Sequence, residues 1–159
     1  YTAVDVNMQA RIGLANSGKP NFNRSKITNV DVDTQDREIT DETVEWWKSQ
    51  SEMAREEAFH PDNRMPLSDA MLALNHWSSG VDRYWANGAG FDFTILENCN
   101  QELGLQSAWK YWQVYDARTV YNLVPEHYRP VSNKHHALWD CLNQIQRLND
   151  CIYRLNISL

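Results

Sequence analysis

The segment Trp85-Ala86-Asn87-Gly88-Ala89-Gly90-Phe91-Asp92-Phe93-Thr94-Ile95-Leu96 constrains this chain more than any other. Val81 to Ala86 reads as a short strand, and Asn87-Gly88-Ala89-Gly90 as a turn whose small residues let the backbone approach a ligand closely. Asp92 follows at the start of a helix whose buried stripe is Ile95, Leu96, Cys99 and Leu103, with Gly104 placed to end it. A strand, a tight turn and a helix in that order belong to α/β architecture.

The rest of the chain is consistent with that class. Residues 1 to 38 read as a short strand, a long loop and a second short strand at the alternating Val30-Asp31-Val32-Asp33. Thr40 caps a helix whose first turn holds Asp41 and Glu42; the helix runs through Trp46 and Trp47 to about Phe59, where His60-Pro61-Asp62 stops it. Ser68 and Asp69 open another, with Met71, Leu72, Leu74 and Trp77 on an apolar face expected to pack on a sheet, ending near Ser79-Gly80. Tyr111 to Val114 reads as a strand, and Asp116-Ala117-Arg118-Thr119 heads a short helix. A last helix carries Leu138, Leu142, Ile145, Leu148, Ile152 and Leu155 at three- and four-residue steps.

Composition bounds what these elements can be. A chain of 159 residues, 42 % hydrophobic and 23 % charged, fits one globular domain over residues 1–159. No apolar run approaches the roughly 20 residues of a membrane span, and no secretory signal is visible, so the expected location is the cytoplasm. Three cysteines, Cys99, Cys141 and Cys151, lack paired metal spacing and suit a reducing compartment. The net charge of −6 argues against broad basic gripping of nucleic acid. A metal nuclease escapes that objection, because divalent cations bring positive charge to an acidic site.

Two acidic residues and a histidine carry the chemistry. A carboxylate after a glycine-rich strand-to-helix turn can reach a metal above the end of a sheet, which is where Asp92 stands. The plain alternative is an aspartate that suits the helix dipole. Asp140 lies on the last helix, away from the centre of its apolar stripe, where, taken singly, it reads as an ordinary solvated aspartate. His136 precedes Asp140 by four residues and shares a helix face with it, whereas His135 does so only at or before the helix start. Spacing alone selects His136.

With these segments together, the chain resembles the DEDDh 3'-to-5' exonucleases of the ribonuclease H-like superfamily, in particular the phage exonuclease A branch. That family is similar in Gly-x-x-Phe-Asp-x-x-Ile-Leu, matched by Gly88 to Leu96, and in His-x-Ala-Leu-x-Asp, matched by His135, Ala137, Leu138 and Asp140. The second match selects His135 over His136. The branch also resembles this chain in Thr-x-Glu-Trp-Trp-Lys-x-Gln, here Thr43 to Gln50, and in Asp-x-Arg-Thr, here Asp116 to Thr119. The fold implied is a ribonuclease H-like mixed β-sheet flanked by helices.

One departure accompanies these matches. The family bears Asp-x-Glu on its first strand, well upstream of the Trp-Trp helix, and no stretch of the 159 residues reads as such a strand in that place. Tyr1-Thr2-Ala3-Val4 resembles the strand that follows that motif, so the first strands are expected to be missing, with the chain beginning downstream of them. Asp31-Val32-Asp33 and Asp5-Val6-Asn7 are weak substitutes, because each would have to replace a longer region.

What the resemblance implies is metal-dependent removal of nucleotides from nucleic-acid 3' ends, with DNA favoured over RNA. Two Mg2+ or Mn2+ ions would clamp the attacking and leaving oxygens, with Asp92 and Asp140 as ligands and His135 taking a proton from the attacking water. Trp46, Trp47, Trp85 and Trp112 offer faces for a terminal base, although Trp77 and Trp85 are expected to fill the core. Phe93 and Asn87 flank the turn, and Arg118 either contacts a phosphate or braces Asp116. The partners expected are a DNA or RNA 3' end, and a complementing N-terminal segment or a second copy in a homodimer. The alternative is a non-catalytic or split ribonuclease H-like module that binds nucleic acid or protein.

Overall fold

The computed structural model describes residues 29–31, 40–59, 64–124 and 137–157. Within them the chain is α/β: four short strands, paired in parallel, alternate with six helices. Two compact units divide it, one formed by residues 1–70 and 131–142, the other by 71–130 and 143–159. Among the described residues no helix is long and apolar enough to cross a membrane.

In the first unit, β1 (Asn29–Val30) pairs in parallel with β2 (Arg64–Met65), and the Asp31 N–H extends the ladder by donating to the Met65 carbonyl at 2.9 Å. Of the alternating stretch expected to be a strand, Val30 is buried in it, while Val32 and Asp33 lie outside the described residues. Thr40 caps as its sequence position predicts: its hydroxyl accepts from the Thr43 N–H, at the head of α1 (Asp41–Lys48). The helix does not run on to Phe59. It stops at Ser49, and α2 (Glu52–Phe59) begins afresh. The Ser49 hydroxyl and the Gln50 side-chain amide both donate to the Trp46 carbonyl, and the Ser51 hydroxyl accepts from the Ala54 N–H. Ser and Gln side chains here replace backbone partners, which is how such residues end one helix and start the next.

The second unit is built around β3 (Tyr84–Ala86) and β4 (Val114–Asp116), parallel partners in the register Tyr84 to Val114 and Ala86 to Asp116. The strand expected over Val81–Ala86 is confined to its last three residues, and the strand expected over Tyr111–Val114 begins only at Val114, after a 3-10 turn at Tyr111–Gln113. Each strand feeds a helix: α4 (Ala89–Glu102) after β3, and α5 (Ala117–Leu123) after β4. Gly104, at φ +65, closes α4 as expected, with Leu105 N–H donating to the Asn100 carbonyl and Gly104 N–H to that of Gln101.

Two apolar clusters hold this unit. Val81, Tyr84 and Trp109 are buried together, with Leu74, Phe93 and Leu96 packed against them; the Phe93 ring meets that of Trp109 edge-on at 5.2 Å. Leu74 comes from α3 (Leu67–Ser78), whose buried residues are Leu67, Ala70, Met71 and Ser78. Leu72, expected on that face, is exposed, because it stands about 100° round the helix from Met71. The second cluster joins Ala117 and Tyr121 of α5 to Leu148 and Cys151 of α6 (Ala137–Arg154), with Trp85 packed against it and stacked on Tyr115 at 4.9 Å. Buried Asn100 is fully engaged: it accepts from the Asn75 amide and donates to the Ser107 hydroxyl.

Tyr84 is the polar member of the first cluster, its buried hydroxyl donating to the Ser78 carbonyl at 2.6 Å and lying 3.2 Å from that of Ala108. Tyr84→Phe is therefore expected to lower unfolding free energy by about 1 kcal/mol, measured by urea denaturation. An unchanged midpoint would show that the bonds of this hydroxyl to Ser78 and Ala108 contribute nothing to stability.

Candidate active site

The candidate site lies in the second unit, where β3 and β4 end side by side and α4 and α5 begin. Parallel pairing in register sets Ala86 against Asp116, so the turn at Asn87–Gly88 and the head of α5 emerge at the same end of the strand pair. Loops at the carboxyl ends of parallel strands are where α/β folds place ligands.

Gly88 is the N-cap of α4 at φ +115 and has no side chain with which to cap it. The cap comes from Asp116 instead. One Asp116 carboxylate oxygen accepts from the Ala89 N–H at 3.0 Å, and the other accepts from the Arg118 N–H at 2.9 Å, which makes Asp116 the N-cap of α5 as well. One carboxylate thus satisfies one free N–H at the head of each of two helices, with both dipoles favouring its charge.

Fixing Arg118 in this way delivers its side chain to Gly88. A Cβ placed on Gly88 would stand 3.1 Å from the guanidinium carbon and from both terminal nitrogens alike. Equal distances mean that the flat face of the guanidinium lies against the glycine, leaving its N–H edge to other groups. Among the described residues no carboxylate is within ion-pair distance of Arg118, and the residue is exposed. Bracing of Asp116 is done by the Arg118 backbone, not by its guanidinium. Gly88→Ala is expected to cost about 2 kcal/mol of stability, because a β-carbon at this φ is strained and meets the guanidinium, and to raise KM by displacing Arg118. Thermal unfolding and steady-state kinetics read the two effects; an unchanged KM would show that Arg118 does not meet the substrate from this position.

Asp92 sits in the first turn of α4, half-buried. Burial pushes its carboxyl up to about 6 from an ordinary 3.8, the nearby Arg118 charge pulls it down, and the Asp116 charge pushes it up. Among the described residues no hydrogen-bond donor satisfies its oxygens, unlike those of Asp116. This fits a hard divalent cation, which prefers carboxylate oxygen and would favour the ionised form that burial opposes. Among the described residues, however, no three His, Cys, Asp or Glu side chains gather to hold a metal.

The other residues singled out from the sequence fall as follows. Asn87 is half-buried in the turn, and Phe93 is committed to the Tyr84–Trp109 core, where it anchors the helix turn bearing Asp92. Asp140 lies half-buried in the first turn of α6, in the first unit. Trp46 and Trp47, also in the first unit, meet edge-on at 5.0 Å; Trp46 is exposed, and Trp47 packs against Phe59. His135 and His136 lie outside the described residues, as do Asp5, Asn7 and Asp33. Sequence reasoning missed the double cap at Asp116 and the seat that Gly88 makes for Arg118. Their only sequence signal was an aspartate two residues before an arginine, directly after a strand.

A family model, described as the 3'-5' exoribonuclease Rv2179c-like domain, matches residues 7–152. No curated protein matches, and no solved structure does.

Proposed function

The chain belongs to the 3'-5' exoribonuclease Rv2179c-like family, and on that premise we propose that it removes nucleotides from the 3' end of RNA with the help of divalent cations. The observation that carries the reading is Asp92: a desolvated carboxylate, free of hydrogen-bond donors among the described residues, beside an exposed arginine that lays the flat face of its guanidinium on Gly88. Within this proposal the chain is a DEDDh enzyme of the ribonuclease H-like type.

Asp92 and Asp140 would hold Mg2+ or Mn2+, and the bound ions would supply positive charge against the charge that develops on the attacking and leaving oxygens. Arg118 holds a phosphate oxygen with its free N–H edge, a task its planar fork suits. His135 accepts a proton from the attacking water. Asn87 and the backbone of the turn meet the terminal nucleotide, Phe93 keeps Asp92 in place from the core side, and Trp46 and Trp47 offer ring faces to a base. RNA is preferred to DNA here because the family is described by action on RNA; the opposite order, expected from the sequence, is an outcome of the test.

The test supplies RNA and DNA oligonucleotides of one sequence, labelled at either end, with Mg2+, with Mn2+ and with a chelator. Stepwise loss from the 3' end, faster on RNA and stopped by chelation, is the expected result. Faster loss from DNA would reverse the substrate assignment. No release from either would leave a nucleic-acid-binding module.

A further inference from the structure

We infer that the turn at Lys110–Trp112, together with Arg83, is a second RNA contact, a stacking platform for bases upstream of the 3' end being removed. The inference rests on the RNA reading above and concerns a different place in the same unit.

Tyr111 and Trp112 are 83 % and 62 % exposed, side by side. Single exposed apolar residues are ordinary; a tyrosine and a tryptophan held together on a pinned turn are not. The pin is Gln113. Its N–H donates to the Lys110 carbonyl at 2.8 Å, its side-chain oxygen accepts from the Lys110 N–H at 2.9 Å, and its side-chain amide donates to the Val81 carbonyl at 2.8 Å. The rings meet edge-on at 5.0 Å and 87°, so each keeps a face for a partner. Rigid aromatic faces bind bases at low entropic cost and without regard to sequence.

Charge decides which partner fits. Because Tyr84 stands opposite Val114, Arg83 and Gln113 enter the strand pair from the same end, and the Gln113 bond to Val81 ties the two entering segments together. Arg83 and Lys110 are both exposed there, and among the described residues neither has a carboxylate within ion-pair distance. Asp82 is the acidic residue of these segments, which leaves a net positive charge beside the rings in a chain of net charge −6. Unpaired cations beside exposed aromatic faces match a single strand, which offers phosphates and bases together. Asp116 and the head of α5 leave the strand pair at its other end, and strands three residues long span about 10 Å. A strand whose 3' end is at Asp92 has its upstream nucleotides within reach of the platform.

The experiment compares the unaltered protein with the Tyr111→Ala/Trp112→Ala double variant. Binding of a fluorescent single-stranded RNA of about ten nucleotides is followed by anisotropy with metal chelated, and hydrolysis of an RNA dinucleotide is followed with Mg2+. The double variant is expected to bind the longer RNA about tenfold or more weakly and to hydrolyse the dinucleotide at an unchanged rate. Lys110→Gln and Arg83→Gln are each expected to flatten the dependence of log Kd on log salt by about one. Unchanged affinity of the double variant, in a protein that does cleave RNA, overturns the platform and leaves the active-site reading standing. If the unaltered protein neither binds nor cleaves RNA, the function proposal itself fails. Conversion of a dimer to a monomer by the double variant at unchanged RNA affinity assigns the surface to a second copy of the chain and overturns the inference.

Discussion

Asp92→Asn is expected to slow release of 3'-terminal nucleotides about a thousandfold and, at neutral pH, to make the protein more stable. Both effects have one cause. Asparagine keeps the size of the side chain but cannot bring the negative charge that a divalent cation needs, so the chemical step loses its anchor. The same charge is a burden to the fold, because burial pushes the carboxyl up to about 6, with Arg118 offsetting part of that and Asp116 adding to it.

The direction of the pH effect follows from proton counting. Between about pH 4 and pH 6 the folded chain keeps a proton on Asp92 that the unfolded chain has released, so stability from this group is full at low pH and is lost as pH rises through 6. The asparagine variant has no such loss. Its advantage opens across that window and stays constant above it, on the order of 1 kcal/mol once solvent screening of a half-buried group is discounted. Thermal unfolding at about pH 4 and about pH 7.5 checks this, with coincident curves at the lower pH and a higher melting temperature for the variant at the upper. A lower melting temperature at both would show that Asp92 is a structural residue. Added Mg2+ is expected to stabilise the unaltered protein and not the variant.

His135→Ala is expected to slow the chemical step about a hundredfold, and His136→Ala by less than about threefold. The ranking depends on how the residues are aligned. A shared helix face favours His136, four residues before Asp140, whereas the His-x-Ala-Leu-x-Asp resemblance favours His135. Single-turnover rates across pH separate them, because loss of a general base removes its limb of the profile as well as lowering the rate. The reverse ranking would place the base one residue later and show that helical spacing was the better guide.

The sequence was most legible where local chemistry decides structure. Thr40 as a cap, Gly104 as a terminator, the strand-turn-helix unit around Gly88 and the long amphipathic α6 follow from short-range rules, and the structure has all four. What could not be read depends on partners distant in sequence. The break after Lys48 was missed because Ser49 and Ser51 are compatible with a helix until their hydroxyls take backbone partners. Trp109, buried at the centre of an aromatic cluster, sits in a segment with no periodicity to mark it. In the site, Asp92 was visible from its turn, whereas the seat of Arg118 on Gly88 spans thirty residues of sequence and emerges only from the pairing of β3 with β4.

The double cap at Asp116 also bears on how this unit assembles. A helix that begins at a glycine with no capping side chain has a weak start, and α4 receives its cap from a residue 27 positions further along the chain. Until β4 has docked beside β3, the first strand-helix pair lacks the carboxylate that holds its opening turn. The two pairs therefore stabilise one another, and the opening turn of α4, though its glycine and helix are legible locally, owes its cap to long-range pairing.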